Sequence, residues 1–562
     1  MFKANQDHLQ SEMFSTVSEL PEKQRFMLEN SWAGTFYREV FCRIAEDAFS
    51  VLYSETGSRP NVPINVLVGL EILKSGKGWS DEELYEHFLF DIQVRYALGY
   101  RNLGDGSFSI RTLYYFRDRL SSYYLERGDD LLASAFREIT DAQITALSIA
   151  TGIQRMDSTQ IASNIVNSSR LRLLVEGIQR THRMLSEADK SRLAAFYAPY
   201  LKGSSDQYGY KVKGAEANST HLDRVGKAML SLLEELEGSY AQENAYQVLA
   251  RLFSEHFKVV EKEPKLKEKE EISSGSLQSV DDLEASYRHK AGKSYQGYVA
   301  NISETCAPEN DIQLVTAVQV EPNNVDDDKM LAEILPELKE RTNVEKIYLD
   351  GGYGGEASDP VLENLSVEIV QTAIRGAKGN PEKLHLSEFE IVQDEEGKPT
   401  KITCPHGQSV SVSRARTTGW QGRFPAEVCV SCPFQKEGRC RAKPQKRDRN
   451  YLLSFTTKEL RAAKRRRNYT LYKKEKGNAR AAAEATMRSA KLPFPAGKLP
   501  VRGRFRITSM MIASVLHLNM RRIWRYETKI SLSDFLFLIF RQKRAIFLSF
   551  FLFAQHEPLF LQ

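Results

Sequence analysis

Lys346-Ile347-Tyr348-Leu349-Asp350-Gly351-Gly352-Tyr353-Gly354-Gly355 reads as a short strand that ends on a carboxylate and passes at once into a glycine turn. Open α/β sheets place their ligands at the carboxyl edge of the strands, so Asp350 stands where a side chain is exposed without loss of strand packing. The glycines let backbone and ligand approach closely, which bulkier residues would prevent. A strand-terminal Asp before glycines is also an ordinary turn device.

The flanks extend the pattern in both directions. Upstream lie strands at Tyr298–Ile302 and Ile312–Val318 and a helix from Asp326 to Arg341; downstream come a helix near Pro360 to Asn364 and a strand at Val367 to Thr372. Strands in series followed by alternating helix and strand indicate an α/β fold, a mixed sheet with helices on its faces. Further upstream, Leu147 to Met156 reads as a strand ending at a second carboxylate, Asp157.

Two stretches interrupt this sheet. Ser169 to Val260 is strongly helical, and Glu261 to Ser279 is charged, then Ser- and Gly-rich, as in a linker. From about Ala373 to Asn450 regular periodicity fails and most of the cysteines appear. Ahead of the sheet, Asn65 to Lys74 forms an apolar helix that Ser75-Gly76-Lys77-Gly78 should break. Ser80-Asp81-Glu82-Glu83 is a capping box, and a third helix begins at Ser109 and carries Arg111, Arg117 and Arg119. Short helices with tight turns and a basic last member suggest a helix-turn-helix DNA reader; a plain bundle with solvated arginines fits the spacing equally.

The implied organisation is an all-α helix-turn-helix-like region over 1–140, the first part of the core over 141–168 and a helical insertion with linker over 169–280. The second part of the core follows over 281–373, a cysteine-rich insertion over 374–450, a basic region with the final core helices over 451–526, and an apolar tail over 527–562.

Composition bounds the rest. A chain of 562 residues, 41% apolar and 27% charged, can bury several cores and is neither a disordered polyelectrolyte nor a peptide factor. Six cysteines are too few for a disulfide scaffold and the N-terminus has no apolar secretion segment, so a cytoplasmic protein with reduced thiols is expected. The tail's apolar runs, Phe535–Phe540 and Ala545–Ala554, are split by Arg541, Lys543 and Arg544 and are too short for a membrane span.

Cys404, Cys429, Cys432 and Cys440 fall within 37 residues. Cys429 and Cys432 have the spacing that lets two thiolates reach one ion, so a structural Zn²⁺ is expected, with His406 as a substitute ligand. The interval from Cys432 to Cys440 is irregular for a ribbon. From Arg439 to Arg480, sixteen Lys or Arg stand against three acids, peaking at Lys464-Arg465-Arg466-Arg467, which points to a phosphate-binding surface. Within Asn478 to Lys491, a strong helix former, Arg480, Glu484 and Lys491 fall on one face.

Two strand-terminal aspartates followed by Arg-x3-Glu-x6-Lys on a late helix resemble the DDE transposases of bacterial insertion sequences, in the subgroup with a Tyr-x2-Arg-x3-Glu-x6-Lys signature. Arg480, Glu484 and Lys491 match in register; the tyrosine position is Gly477, with Tyr472 the nearest aromatic upstream. The block from Arg59 through Leu120 is similar to the N-terminal DNA-binding domain common in that group. The resemblance implies an RNase H-like core in which Asp157, Asp350 and Glu484 bind Mg²⁺ or Mn²⁺. It places Arg480 and Lys491 near DNA phosphate, and an aromatic such as Trp420 against a flipped base at the DNA end. It implies cleavage of terminal inverted repeats and strand transfer by a homodimer holding transposon ends and target in a synaptic complex, on double-stranded DNA and away from membranes. The alternative is a DNA-binding protein or repressor derived from a transposase, without catalysis.

Overall fold

The computed structural model describes the chain apart from residues 11–13, 55–59, 166–168, 202–214, 291, 375–379, 381, 395, 416–417, 446–449, 475–477 and 555–562; at 215–218, 474 and 530–554 the backbone alone is described. Arg59 and Gly477 therefore lie outside the described residues.

The central sheet is built from β1 (Ile153–Ile161), β2 (Lys293–Thr305), β3 (Val315–Pro322), β4 (Lys346–Leu349) and β5 (Glu368–Gln371), in the order β3-β2-β1-β4-β5. The β1–β2 and β2–β3 pairs are antiparallel, whereas β4 runs parallel to β1 and β5 parallel to β4. A further strand, Ser286–Lys290, hairpins onto the start of β2.

Asp157 lies inside β1 and not at its end. The antiparallel pairing with β2 runs from Gln154↔Thr305 to Ile161↔Tyr298, while the parallel pairing with β4 stops at Arg155↔Tyr348. β1 therefore continues alone past the point where β4 turns away. Two residues beyond that last register come Asp157 on β1 and Asp350 just after β4, level with each other on strands about 4.8 Å apart.

The N-terminal helices join the core instead of standing apart from it. Helix α1 (Ile64–Lys77) runs through Ser75 and Gly76 and ends within the expected break, at Gly78 in the left-handed conformation; Gly76 lies against the His517 ring with no room for a side chain. Glu46 caps its start, accepting the Ile64 and Asn65 amides at 2.8 and 3.2 Å. The capping box forms as expected at the head of α2 (Asp81–Phe90), and α3 (Arg111–Arg127) follows with Ile110 at its N-cap position. One continuous apolar core unites these helices with Tyr298, Ala300 and Ile302 of β2 and with the final helix.

On the other face of the sheet, α4 (Asp327–Thr342) packs Leu331, Leu335 and Leu338 against Met156 and Ile347. The Ala- and Arg-rich stretch before Pro493 forms two helices, α5 (Thr457–Lys474) and α6 (Ala479–Lys491). The last, α7 (Arg504–Ala554), continues well past Tyr526, where the sequence suggests an end. Met511 to Met520 are buried on every side. Asn519 clamps β3 through both groups of Val315, each at 2.9 Å, and Ser514 donates to the Ala490 carbonyl of α6 at 2.7 Å. Among the described residues no helix is long and apolar enough to cross a membrane.

Both insertions have cores of their own. The helical one ends in a hairpin, Phe257–Val260 with Glu263–Leu266, where a linker is expected. The cysteine-bearing one is a six-stranded antiparallel sheet spanning Glu390 to Phe455 in strands too short to give a clear period in the sequence.

Candidate active site

Helix α6 lies on β1 and β4, the two strands that carry the aspartates. Its buried face is Ala483, Thr486, Met487 and Ala490, the two alanines letting it settle closely, which leaves Arg480, Glu484 and Arg488 on the open side. Tyr472, at the end of α5, accepts the Ala479 amide at 3.1 Å and packs near Tyr348 of β4, so an aromatic braces the first turn of α6.

Asp157 is mostly buried, and burial is the main cause of a carboxyl pKa pushed up to about 6. The Ser158 amide, 2.8 Å from Oδ1, and the Arg480 cation oppose the shift; the charges of Asp350 and Asp327 reinforce it. Asp350 Oδ1 accepts the Gly352 amide at 2.6 Å. Glu484 is half exposed and pairs with Arg480 at 3.0 Å, and that bond, more than the nearby Asp350 and Asp157, raises the guanidinium pKa. Lys491 reaches back to β1, donating to Thr159 Oγ1 at 2.6 Å, and burial lowers its pKa. Arg480, paired with Glu484, thus lies within electrostatic reach of Asp157 and Asp350, and Lys491 is tied to β1 two residues from Asp157; as they lie, the three carboxylates do not stand close enough together to hold a metal ion.

Further groups that the sequence reading does not single out surround these residues. Tyr353 is fully buried among the acids and donates to Asn301 Oδ1 at 2.8 Å. Asp327, at the first turn of α4, is 3% exposed, and the electrostatic neighbourhood of Asp157 includes it. Behind α6, buried Glu304 receives Arg155 at 2.7 Å, Arg522 at 2.8 Å and the Thr486 hydroxyl at 2.8 Å. Arg155 and Thr486 are each two residues from a candidate carboxylate, yet neither residue type nor spacing distinguishes them in the sequence.

The basic residues divide. Arg465 bonds Asp359 at 2.5 Å, Arg466 meets His385 at 3.1 Å and Arg467 donates to the Phe389 carbonyl at 2.5 Å. Those three fasten α5 to its surroundings, whereas Lys464 is exposed. In α3, Arg117 is held by Glu71 at 2.8 Å and Asp81 at 2.7 Å, and Arg119 stacks on Tyr53; Arg111 is exposed. Trp420 opens a strand of the cysteine-bearing sheet, packs partly into its core and donates to Thr457 at 3.3 Å.

Cys404, Cys429, Cys432 and Cys440 converge with His406 on one cavity of about 20 Å³. All four are free thiols. Burial first, then the other three thiols, pushes the Cys429 pKa up to about 11. Among the described residues no three His, Cys, Asp or Glu side chains stand close enough together, as they lie, to hold a metal ion.

Two segments of the chain match known families. Residues 403–524 match the Transposase DDE domain, and residues 29–119 match the Transposase domain (DUF772). Both are transposase domains. The first match contains the four clustered cysteines, α5, α6 with Glu484, and Arg522; Asp157, Asp327 and Asp350 lie outside it. The second spans α1, α2 and the first half of α3. No curated protein and no solved structure matches the chain.

Proposed function

We propose that this chain is an insertion-sequence transposase that binds terminal inverted repeats and carries out divalent-metal-dependent DNA cleavage and strand transfer as a homodimer. The observation that carries the reading is that Arg480, paired with Glu484, lies within electrostatic reach of both Asp157 and Asp350, in a chain bearing two transposase domains. The strand order, three antiparallel then two parallel, supports an RNase H-like core. The hard oxygen donors suit Mg²⁺ or Mn²⁺. When bound, such ions activate the attacking oxygen and stabilise the leaving one in an in-line displacement at phosphorus.

The chain's own residues do the positioning. The Arg480–Glu484 bond is exposed and worth only about 0.3–0.5 kcal/mol. Glu484 is therefore free to turn toward the aspartates, and Arg480 toward a DNA phosphate. Lys491 steadies β1 beside Asp157 and adds positive potential. Lys464, Arg111 and Arg119 are exposed basic side chains offered to DNA, while Arg117, Arg465, Arg466, Arg467 and Trp420 act chiefly by holding the structure that presents them.

Replacing Asp157, Asp350 or Glu484 by Ala should abolish nicking of a DNA end and leave specific end binding intact. Binding without cleavage by the unaltered chain under any metal would favour a transposase-derived repressor. The cysteine cavity is proposed as a structural Zn²⁺ site. Protein purified without chelator should carry about one zinc per chain, lost in a Cys429→Ser, Cys432→Ser double variant; a metal-free, folded chain that cleaves DNA with added Mg²⁺ would refute it.

A further inference from the structure

The strand Ser286–Lys290 and the first residues of β2 form a two-stranded ribbon that outruns the sheet. β1 and β3 both stop pairing with β2 at Tyr298, whereas the ribbon's register continues outward from Ser286↔Gly297 to Lys290↔Lys293. Its root is held. The Tyr287 amide donates to the Ser274 carbonyl at 3.1 Å, and Arg288 donates to the Asn323 and Val325 carbonyls at 3.4 and 3.3 Å. Its outer residues His289, Lys290, Lys293 and Ser294 are exposed.

The charge of this ribbon is one-sided. Between Ala285 and Ser303 stand three Lys or Arg and no acid. Lys290 and Lys293 face each other across the strands, an arrangement in which like charges are destabilising. Among the described residues neither lysine has an ion-pair partner. The acids just upstream are engaged elsewhere: Asp281 by Arg180 and Arg502, Asp282 by the Tyr298 hydroxyl, and Glu284 by Arg504. Two uncompensated lysines at a projecting tip suit an anion from outside the chain.

Strand direction fixes where the tip lies. β2 runs antiparallel to β1, so its start lies beyond the carboxyl ends of β1 and β4, past the level of Asp157 and Asp350. Asp157 faces Ile302, and Lys293 comes nine residues earlier on the same strand, about 30 Å away at about 3.3 Å per residue. Helix α6 follows the same line. Arg480 lies within electrostatic reach of Asp157, and Lys491 is tied to Thr159 and to the Gln160 carbonyl, further along β1 toward the ribbon. Cations thus recur in one direction, from the aspartates to the tip. The major groove of duplex DNA admits a two-stranded ribbon, and its walls are lined with phosphate.

We propose that this ribbon is a second contact with double-stranded DNA, in which Lys290 and Lys293 bind backbone phosphates about 30 Å from the DNA held beside Asp157 and Asp350. This rests on the reading of the chain as a protein that acts on DNA at those aspartates. The contact is to phosphate, so it positions the duplex and carries no sequence preference.

The test is binding of a mixed-sequence DNA duplex, several helical turns long, to the full-length chain. Fluorescence anisotropy without divalent metal, over a series of salt concentrations, gives the affinity and its salt dependence. Lys290→Gln with Lys293→Gln should weaken binding about tenfold and lower the slope of log affinity against log salt by about two, one for each lost phosphate contact. Lys290→Arg with Lys293→Arg, which keeps the charge, should bind as the unaltered chain does. Lysines on an open strand also deter edge-to-edge association. Lys290→Glu with Lys293→Glu keeps the edge charged, covers the case in which the glutamine variant aggregates, and should weaken binding further. If the glutamine and glutamate variants keep the affinity and slope of an unaltered chain whose binding is salt-dependent, the ribbon touches no DNA and the inference falls alone. If the unaltered chain binds no duplex, or binds it without salt dependence, the DNA reading beneath it falls too.

Discussion

A buried carboxylate in company with others is costly to ionise, and Asp157 is such a group. Its folded-state pKa, about 6, lies above the ordinary 3.8. The stabilising contribution of the neutral form is therefore present below pH 4 and is lost as pH rises through 6. In metal-free protein Asp157→Asn should raise stability by about 1 kcal/mol at pH 7.5, after allowance for partial exposure, and by about half that at pH 5. The same variant should lose metal binding and cleavage. In the unaltered chain, metal affinity should weaken below pH 6 as the proton competes, with proton release detectable by calorimetry in buffers of different ionisation enthalpy. Equal melting curves for variant and parent at pH 7.5 would show that ionised Asp157 carries no such cost. Asp157 and Asp350 were legible as acids beside strand patterns, but Asp327 was not. An Asp in the first turn of a helix reads as a dipole complement, and its two acidic neighbours give the same signal.

Elements are held in register here by a charge cluster that no pattern announces. Glu304 on β2 ties together Arg155 of β1, Thr486 of α6 and Arg522 of α7, so one buried carboxylate fixes the helix carrying Glu484 against the strand carrying Asp157. Glu304→Gln leaves two arginines without their counter-charge and should cost about 3–5 kcal/mol, with cleavage per folded molecule falling as α6 shifts. Thr486→Ala removes one hydroxyl and should cost about 1 kcal/mol. Urea unfolding of both variants checks the ranking, and an unperturbed Glu304→Gln would remove the cluster's positioning role. The strands themselves were legible from their apolar runs, but their lengths were not. Asp157 falls mid-strand because β2 supplies a partner along all of β1, and that pairing depends on a segment more than 130 residues away. The basic peak in α5 was misleading for a related reason. Charge density is visible in sequence, whereas the acceptors that turn Arg465, Arg466 and Arg467 inward come from distant segments.

At the scale of the molecule, the N-terminal helices and the central sheet share one core, with α7 as the spine between them. A separately folding DNA-binding domain over 1–140 would predict two unfolding transitions; a shared core predicts that a wedge at the seam weakens both parts together. Gly76 is the place for that wedge, since an added methyl group would meet the His517 ring at 2.0 Å. Ala is ordinarily favoured over Gly in a helix by up to about 1 kcal/mol, so the sign of the change is diagnostic. Gly76→Ala should instead destabilise by about 1–3 kcal/mol as α1 and α7 are forced apart. Because α7 also grips β3 through Asn519 and Glu304 through Arg522, the loss should appear in the sheet as well as at the seam. Hydrogen exchange at the β1 and β2 amides and the fluorescence of Trp32, Trp79 and Trp524 should report the same lowered stability. Exchange in β1 unchanged while the N-terminal helices loosen would mean that the two regions unfold independently, and that the N-terminal helices move on the core as a separate unit.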